Sequence, residues 1–257
     1  CLVGSEMCIR DSNRLIDIVD LLRSENGCPW DKEQTSESLI PFFIEEVYEA
    51  VECIENNNDD LKEELGDVLL HIVFQSSIAN EKGYFNLNDV LKNINNKLIK
   101  RHPHIFNNGK EKISFDKKNW EINKQKSKNR ASILDGTPIS LPSIIKSQRL
   151  QEKASSVGFD WDNINDVWAK FYEEIDELKI ACEKGQLKSI EEEIGDCFFS
   201  LVNLARHLNI SAENSVSKTN NKFSKRFKEV EHKVSKMSKK INEMSNEEIS
   251  KLWESVK

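Results

Sequence analysis

The sequence predicts an all-α protein built from two similar halves, and three observations support this prediction. The chain of 257 residues contains only 9 glycines and 5 prolines, which is about half of average usage, so turns are few and the elements between them are long. Apolar residues recur at spacings of three and four, as at Leu61, Leu65, Val68 and Leu69, and this spacing is typical of amphipathic helices. Finally, the same motifs occur twice in the same order, which indicates an internal duplication.

Each half carries two acidic motifs, E-E-x-x-E and then E-x-x-D. In the first half they occupy residues 45–49 and 64–67, and in the second half residues 173–177 and 193–196. The separation between matching acids is 128 residues for the first motif and 129 for the second. One acidic motif is common in a chain this charged, but an ordered set that occurs twice is strong evidence of duplication.

The two halves are predicted to contain the same series of four helices. In the first half, helices are expected at about 14–24 and 41–55, then between the turn at 56–59 and Gly83, and finally at 87–101. The second half should repeat them at about 143–156, 167–183, 190–208 and 212–236. The predicted fold is therefore a tandem pair of four-helix bundles, with domains at 13–106 and 141–257 joined by a linker at 107–140.

Residues 1–12 are treated separately. They show no helical period and have no counterpart in the second half, and they resemble the in-frame translation of a sequencing-library adapter. We predict that this segment is a non-native tail and exclude it from the argument about the fold.

Composition excludes several classes of function. A formal net charge of -7 argues against direct binding of nucleic acid. No apolar run approaches the ~20 residues that span a bilayer, so no membrane association is expected. The six cysteines show no paired metal-type spacing, and they are most simply reduced thiols of a cytoplasmic protein.

The acidic motifs predict a metal site in each half. Residues three or four apart share one face of a helix, so each helix can direct two carboxylates toward two on the next helix. Such a group repels itself unless a cation lies between its members, and oxygen ligands suit Mg²⁺ or Mn²⁺. A solvated acidic surface would explain one motif alone, but Leu61 and Leu65 beside Glu64 place this acid near a core, where an unpaired charge is costly.

A pair of basic residues follows the acidic motifs in each half. Lys97 and Arg101, and likewise Lys222 and Arg226, are four residues apart, so each pair lies on one helix face. An anion held between the two cations would offset their repulsion, and arginine and lysine both bind phosphate. The alternative is an ordinary solvated basic face; the recurrence of the pair favours phosphate contact.

Three further features allow two interpretations. Trp30-Asp31 and Trp161-Asp162 occur at matching positions, and these tryptophans either stack on a base or close the end of a bundle. Asn203 is a polar amide on an apolar helix face, where the first half has Phe74, and it is a candidate for contact with a nucleotide. Glu229 and His232 form one Glu-x-x-His motif, whereas a di-iron bundle requires two, so we interpret this motif as surface.

Taken together, these motifs resemble those of the MazG family of all-α nucleoside triphosphate pyrophosphohydrolases, over essentially everything after residue 12. The resemblance implies Mg²⁺-dependent hydrolysis of NTPs and dNTPs to nucleoside monophosphate and pyrophosphate by a tight homodimer. It implies that the metal ligands are Glu46, Glu49, Glu64 and Asp67 in the first half and Glu174, Glu177, Glu193 and Asp196 in the second. Glu45 and Glu173 would help to align water.

The catalytic set is assigned to the second half, because Asn203 can hydrogen-bond a sugar or base and Phe74 can only pack. This set comprises Glu173, Glu174, Glu177, Glu193 and Asp196, and the substrate contacts are assigned to Lys222, Arg226, Asn203, Trp161, Lys97 and Arg101. Two alternatives remain open, a di-iron carboxylate bundle and a non-catalytic helical regulator that binds nucleotides. The chain has no Gly-x-x-x-x-Gly-Lys loop, which excludes a P-loop enzyme.

Overall fold

A computed structural model describes residues 2–56, 58–106, 130–237 and 240–257. The chain divides into a first unit, Cys1–Phe115, and a second unit, Asp116–Lys257. Within the described ranges every regular element is a helix, which confirms the predicted all-α class. None of these helices combines the length and the apolar composition that crossing a membrane requires.

Among its described residues, the first unit contains four long helices and two short ones. They are α1 (Leu2–Arg23), α2 (Pro29–Glu33), α3 (Ile40–Asn56), α4 (Leu61–Glu81), α5 (Leu87–Arg101) and α6 (Pro103–Phe106). The backbone of α1 is helical from Leu2, so the helix includes most of the segment without a helical period. The non-native origin of residues 1–12 stays a prediction.

The core of the first unit lies between α1 and α4. Val19 of α1 and Leu39 are buried against Val73, Phe74 and Ile78 of α4. These α4 residues are spaced one and four apart, so one face of the helix meets α1 while α3 packs beside it. The acidic residues of α3 and α4 are thus held by helices anchored in a common core.

The second unit repeats this arrangement and extends it. Its helices are α7 (Ser143–Ser156), α8 (Ile164–Lys184), α9 (Leu187–His207), α10 (Ala212–Lys236) and α11 (Asn246–Glu254), with a short 3₁₀ turn at Ile241–Glu243. Helix α11 was not predicted. It packs on α10 through Val230, Val234 and Leu252, and Ser245 caps it by accepting a hydrogen bond from the Glu248 N–H.

A two-residue connection sets the α8–α9 hairpin, on which the acids of the second unit lie. Gly185 ends α8 in the left-handed region (φ 65°), and its N–H donates to the carbonyls of Ala181 and Cys182. Only glycine adopts this conformation without strain. The reversal is immediate, so α8 and α9 run antiparallel from their first turns and their acidic motifs come together.

Residues 130–140 of the predicted linker belong to the second unit, and they include a turn that contacts its helix α7. The Nζ of Lys153, on α7, is buried and donates to the carbonyls of Leu134 (3.3 Å) and Asp135 (2.9 Å). Gly136 follows at φ 73°. The division between units, after Phe115, falls inside the predicted 107–140 segment, whose residues 107–129 lie outside the described residues.

Candidate active site

Three of the four predicted carboxylates of the first unit come together. Glu46 and Glu49 lie one turn apart on α3, and Glu64 faces them from α4. One carboxylate oxygen from each lies within 4.8 Å of the others. Glu46 and Glu64 are half-buried and Glu49 is exposed, so the cluster opens to solvent on one side.

The second unit repeats this cluster with the matching residues. Glu174 and Glu177 of α8 and Glu193 of α9 each offer an oxygen within 4.8 Å of the others. Glu174 is buried, with 6% of its surface exposed. The two hairpins therefore reproduce the same three-carboxylate geometry, as the sequence duplication predicts.

The fourth predicted ligand of each unit lies outside these tight clusters but close to them. The negative charge of Asp67 acts on both Glu46 and Glu64 and raises their pKa values. The charge of Asp196 similarly contributes to a raised pKa of the Cys197 thiol, whose first cause is burial. Their assignment as ligands stays a prediction, and Glu45 and Glu173 lie beside the clusters at exposed positions.

Burial and the repulsion between neighbouring carboxylates both disfavour the charged form of acids in the clusters. Burial is the largest cause of the raised pKa of Glu46, and the negative charges of Asp67, Glu49 and Glu64 raise that pKa further. Burial and the neighbouring Glu174 likewise raise the pKa of Glu177. Carboxylates this close favour the protonated form unless a cation compensates them, so the donor set and its charge fit a divalent oxygen-seeking ion.

Lys170 is a feature of the second cluster that the sequence interpretation missed. Its Nζ lies 2.9 Å from an oxygen of Glu173 and 2.9 Å from an oxygen of Glu174. Hydrogen bonds to these two carboxylates raise the pKa of Lys170 above its usual range. The sequence does contain a signal for this pairing. Lys170 precedes Glu173 by three residues and Glu174 by four, and both spacings allow an ion pair on a helix.

The predicted phosphate-binding residues lie on the helices that follow each cluster. Lys97 lines an apolar groove of about 800 Å³ within the first unit, and Arg101 is half-buried at the end of α5. On α10, Lys222 is exposed and an Nη of Arg226 donates to the carbonyl of Lys257 (3.3 Å). Within the described ranges no ion pair joins Lys222 or Arg226 to the acids, so their contact with phosphate stays a prediction.

Helix α10 also carries an aromatic contact with α11 and an exposed Glu-x-x-His motif. Trp253 of α11, also absent from the predicted site, packs against Phe223 with ring centroids 5.4 Å apart. This contact places a large aromatic ring one turn from Arg226 along α10. Glu229 and His232 are exposed, in agreement with their interpretation as surface residues.

The two Trp-Asp loops are fixed by arginines from different helices. In the first unit, Arg23 of α1 donates to the backbone carbonyls of Asp31 (2.6 Å) and Gln34 (3.1 Å) and pairs with Glu81. Trp30 then contacts Phe42 edge-on, with centroids 5.9 Å apart. This contact favours the structural interpretation of Trp30.

In the second unit, the loop is held by Asp160 and Arg206. The guanidinium of Arg206 binds both carboxylate oxygens of Asp160, one of them at 2.9 Å. Burial alone would raise the pKa of Asp160, but hydrogen bonds from Arg206 and Ser155 outweigh it and hold the pKa well below its usual range. His207 also lies 3.0 Å from Asp160.

The Asp160–Arg206 pair borders a pocket of about 540 Å³. Trp161 and Asn203, both predicted to contact substrate, line this pocket. Arg206 donates to the Oδ1 of Asn203 from Nε (3.0 Å) and from Nη2 (2.8 Å), which fixes the orientation of the amide. The structure thus brings these two residues together, while their role in binding stays a prediction.

Comparison with known proteins identifies the family of this chain. The model of the MazG nucleotide pyrophosphohydrolase domain matches residues 34–106 and, a second time, residues 164–231. The chain belongs to the MazG family. Both matches contain an acidic cluster, which confirms the tandem arrangement expected from the sequence.

Full-length relatives support the same assignment. The chain is 43% identical over 246 residues to the nucleoside triphosphate pyrophosphohydrolase/pyrophosphatase MazG of Thermotoga maritima, across 95% of this chain and 94% of the relative. It is 40% identical over 253 residues to the nucleoside triphosphate pyrophosphohydrolase of Escherichia coli K12, across 95% and 96%. A third relative, YabN of Bacillus subtilis, is 41% identical, and the match spans 50% of its length.

Proposed function

We propose that this protein hydrolyses nucleoside triphosphates, both NTPs and dNTPs, to nucleoside monophosphate and pyrophosphate. The observation that carries the proposal is the pair of three-carboxylate clusters in a chain of the MazG family. Water adds to the α-phosphorus, and pyrophosphate leaves with the electrons of the broken α–β bond. Reactions of this type depend mainly on positioning and on charge stabilisation.

We propose Mg²⁺ as the cofactor, with Mn²⁺ as a substitute. In the second unit it would be held by Glu174, Glu177, Glu193 and Asp196, and the first unit has four matching ligands, Glu46, Glu49, Glu64 and Asp67. A bound ion of this kind polarises phosphate oxygens and lowers the pKa of a coordinated water. Support comes from the convergence of carboxylates and from the raised pKa values of Glu46, Glu64 and Glu177, which burial and neighbouring carboxylates cause.

The other groups of the second unit have distinct proposed roles. Glu173 accepts a proton from the attacking water and aligns it. Lys222 and Arg226 hold the outer phosphates, since each presents a cation on one face of α10. We extend the same phosphate role to Lys97 and Arg101 in the first unit, and Trp161 and Asn203 contact the nucleoside. Cytoplasmic location, expected from the reduced cysteines, is part of this proposal.

We also propose that the protein works as a homodimer. Apolar side chains on α3 are exposed along one helical stripe at Ile40, Ile44, Val47, Val51 and Ile54. Contiguous exposed apolar residues mark interaction surfaces, and a second copy offers a matching stripe. Val47→Glu should therefore yield monomers in sedimentation experiments, while Lys62→Glu, on an exposed residue of α4, should leave the dimer intact.

The decisive experiment incubates the protein with a panel of NTPs and dNTPs and Mg²⁺, and scores pyrophosphate against orthophosphate. Pyrophosphate and monophosphate are the expected products. Release of ADP and orthophosphate from ATP would contradict the proposed bond cleavage. Absence of hydrolysis across the panel would instead favour a nucleotide-binding regulator.

Metal dependence is checked in the same assay. Excess EDTA should abolish hydrolysis, and Mg²⁺ should stabilise the folded protein by mass action, by about 2.7 kcal/mol at a hundred times its Kd. Full activity in EDTA would contradict the metal assignment. Elemental analysis that finds iron, with no response to Mg²⁺, would instead support the di-iron alternative.

A further inference from the structure

Lys153 of α7 is a charged residue that the proposed chemistry does not use and that the fold buries. It is 1% exposed, and it has the largest fully buried side chain among the described residues. A lysine on a helix usually extends its ammonium group to water, because a buried charge is costly unless it is hydrogen-bonded. The Nζ of Lys153 instead donates to the backbone carbonyls of Leu134 (3.3 Å) and Asp135 (2.9 Å). Burial of this charge therefore depends on the turn that supplies those carbonyls.

Residues 132–137, which we call the anchor turn, have a defined conformation of their own. The Thr137 hydroxyl donates to the Leu134 carbonyl at 2.9 Å. Gly136 lies in the left-handed region at φ 73°, and a Cβ at this position would overlap the guanidinium of Arg130. Any other residue at position 136 would strain the backbone and displace Arg130, so the conformation of the anchor turn depends on glycine.

The anchor turn also forms part of the wall of the pocket of about 540 Å³ in the second unit. Leu134 lines this pocket together with Leu150 and Ala154 of α7. Leu134 is 42% exposed, so the packing of its side chain contributes little to holding the turn in place. Its backbone carbonyl, in contrast, is bound by the buried ammonium group. The position of this part of the wall therefore depends on Lys153, which lies outside the pocket lining.

The contact belongs to the second unit and to the chain that enters it. In the first unit the position that matches Lys153 holds Leu22, which is half-buried and has no side-chain donor. The anchor turn lies between the division of the units, after Phe115, and α7. It is thus on the covalent path from the first unit to the pocket of the second.

We propose that Lys153 is a positioning residue that couples the connecting chain to this pocket, because its ammonium group holds the anchor turn on α7 and so keeps Leu134 in the pocket wall. Such a coupling is reciprocal. A ligand in the pocket stabilises the anchor turn, and release of the anchor turn weakens binding of the ligand. The proposal rests on the proposed function for its ligand class, nucleotides with Mg²⁺.

The first measurement is amide hydrogen exchange of residues 131–141, followed by mass spectrometry on the full chain without nucleotide. Lys153→Met keeps a long unbranched side chain and removes the ammonium group. Exchange in the anchor turn should accelerate about tenfold through local opening, while exchange in α8 and α9 should stay at the wild-type rate. Lys146→Met is the matched control, at a half-buried lysine two turns earlier on α7, and should leave exchange in the anchor turn unchanged.

The second measurement is binding of AMP, CMP, GMP and UMP by calorimetry in the presence of Mg²⁺. Lys153→Met and Leu134→Ala should each weaken the tightest-binding monophosphate about fivefold, equivalent to about 1 kcal/mol. The double variant should lose no more than the weaker-binding single variant, because Lys153 acts through Leu134. A merely structural role of Lys153 would instead give losses that add.

Gly136→Ala provides a second way to disturb the anchor turn, without a change in α7 or in the pocket lining. It should reproduce both the faster exchange and the weaker binding. Circular dichroism and melting temperature establish that each variant is folded. If Lys153→Met does not fold, Gly136→Ala and Leu134→Ala decide the question.

Three outcomes would overturn the proposal. The first is exchange in the anchor turn at the same rate in Lys153→Met and wild type. The second is additive losses of affinity in the double variant, or no loss in either single variant. The third is a wild-type protein in which no monophosphate slows exchange in the anchor turn. Neither measurement scores pyrophosphate release, so failure of this coupling is distinguishable from failure of the proposed hydrolysis.

Discussion

The two units share their carboxylates but differ in the groups around them. At the acidic cluster, Lys170 pairs with Glu173 and Glu174 in the second unit, while the matching position of the first unit holds Phe42, in contact with Trp30. The cluster of the second unit is thus paired with the ammonium group of Lys170. In the first unit, the matching residue instead packs against the tryptophan of the Trp-Asp segment. Duplication preserved the metal-type geometry, and divergence changed its electrostatics.

The difference is larger at the end of the bundle away from the acids. Four polar residues that line the pocket of about 540 Å³ in the second unit have smaller, apolar or differently charged counterparts in the first. The pairs are Asp20 and Gln151, Pro29 and Asp160, Phe74 and Asn203, and Ser77 and Arg206.

In the first unit, three of these counterparts are buried or hydrogen-bonded to one another. Phe74 is buried in the core of the first unit. The Ser77 hydroxyl donates a hydrogen bond to the Asp20 carboxylate at 2.7 Å, so these two side chains are partners of each other. The second unit instead keeps an unpaired Gln151 oxygen. We infer that substrate recognition is concentrated in the second unit, and the following variants test that asymmetry.

The largest expected effect comes from removing one ligand charge in each cluster. Glu177→Gln should lower kcat at least about a hundredfold, which corresponds to about 2.7 kcal/mol of transition-state stabilisation. Glu49→Gln, the matching change in the first unit, should leave most of the rate. Steady-state kinetics with a pyrophosphate readout, at saturating Mg²⁺, measures both.

The reverse ranking would assign the chemistry to the first unit and make the second a module for binding or dimerisation. Equal losses would show that both clusters contribute to turnover. Both variants are close in shape to the native side chain, so comparable melting temperatures are expected and serve as the control for folding.

The next effect concerns the ion pair that holds the second Trp-Asp loop. Asp160→Asn leaves Arg206 without its charged partner and should reduce the free energy of unfolding of the second unit by about 2 kcal/mol, the scale of a hydrogen bond to a charged group. Pro29→Ala, at the matching position in the first unit, should change stability by less, since Arg23 holds that loop through backbone carbonyls. Urea unfolding measures both.

The pH dependence of the Asp160 effect has a defined sign. The folded pKa of Asp160 is depressed below its ordinary value of 3.8, so the stabilisation is fully present above that value and is lost as the pH falls below it. Wild type and Asp160→Asn should therefore differ most at neutral pH and converge in acid. A constant difference down to pH 2 would contradict the role of the ionised carboxylate.

The fold and the carboxylates were predictable from sequence because both depend on local periodicity. Helical spacing places Glu46 beside Glu49 and Glu174 beside Glu177 whatever the tertiary structure. The α8–α9 hairpin then needs only a short connection at Gly185, and the pairing across helices follows from the repeat.

The pocket of about 540 Å³ was not predictable in the same way, because its lining residues come from elements distant in sequence. Gln151 of α7 donates to Phe199 of α9, and Arg206 reaches Asp160, 46 residues away. A single glutamine on an amphipathic helix gives no sequence signal of burial. Helix α11 was also missed, since its nine residues are stabilised mainly by packing on α10.

The smallest expected effect concerns Lys170. In EDTA, Lys170→Met leaves the buried Glu174 without its counter-charge and should reduce the free energy of unfolding of the second unit by about 1 kcal/mol, the upper end for partly exposed ion pairs. Mg²⁺ should stabilise this variant more than wild type, because no ammonium competes for the same carboxylates.

Lys179→Met, which removes an exposed pair with Asp176, should stay within about 0.5 kcal/mol of wild type in both conditions. Urea unfolding with and without Mg²⁺ gives all six values. An equal response of Lys170→Met and wild type to Mg²⁺ would show that the ammonium and the metal do not share Glu174, and the electrostatic difference between the two clusters would then have no effect on metal affinity.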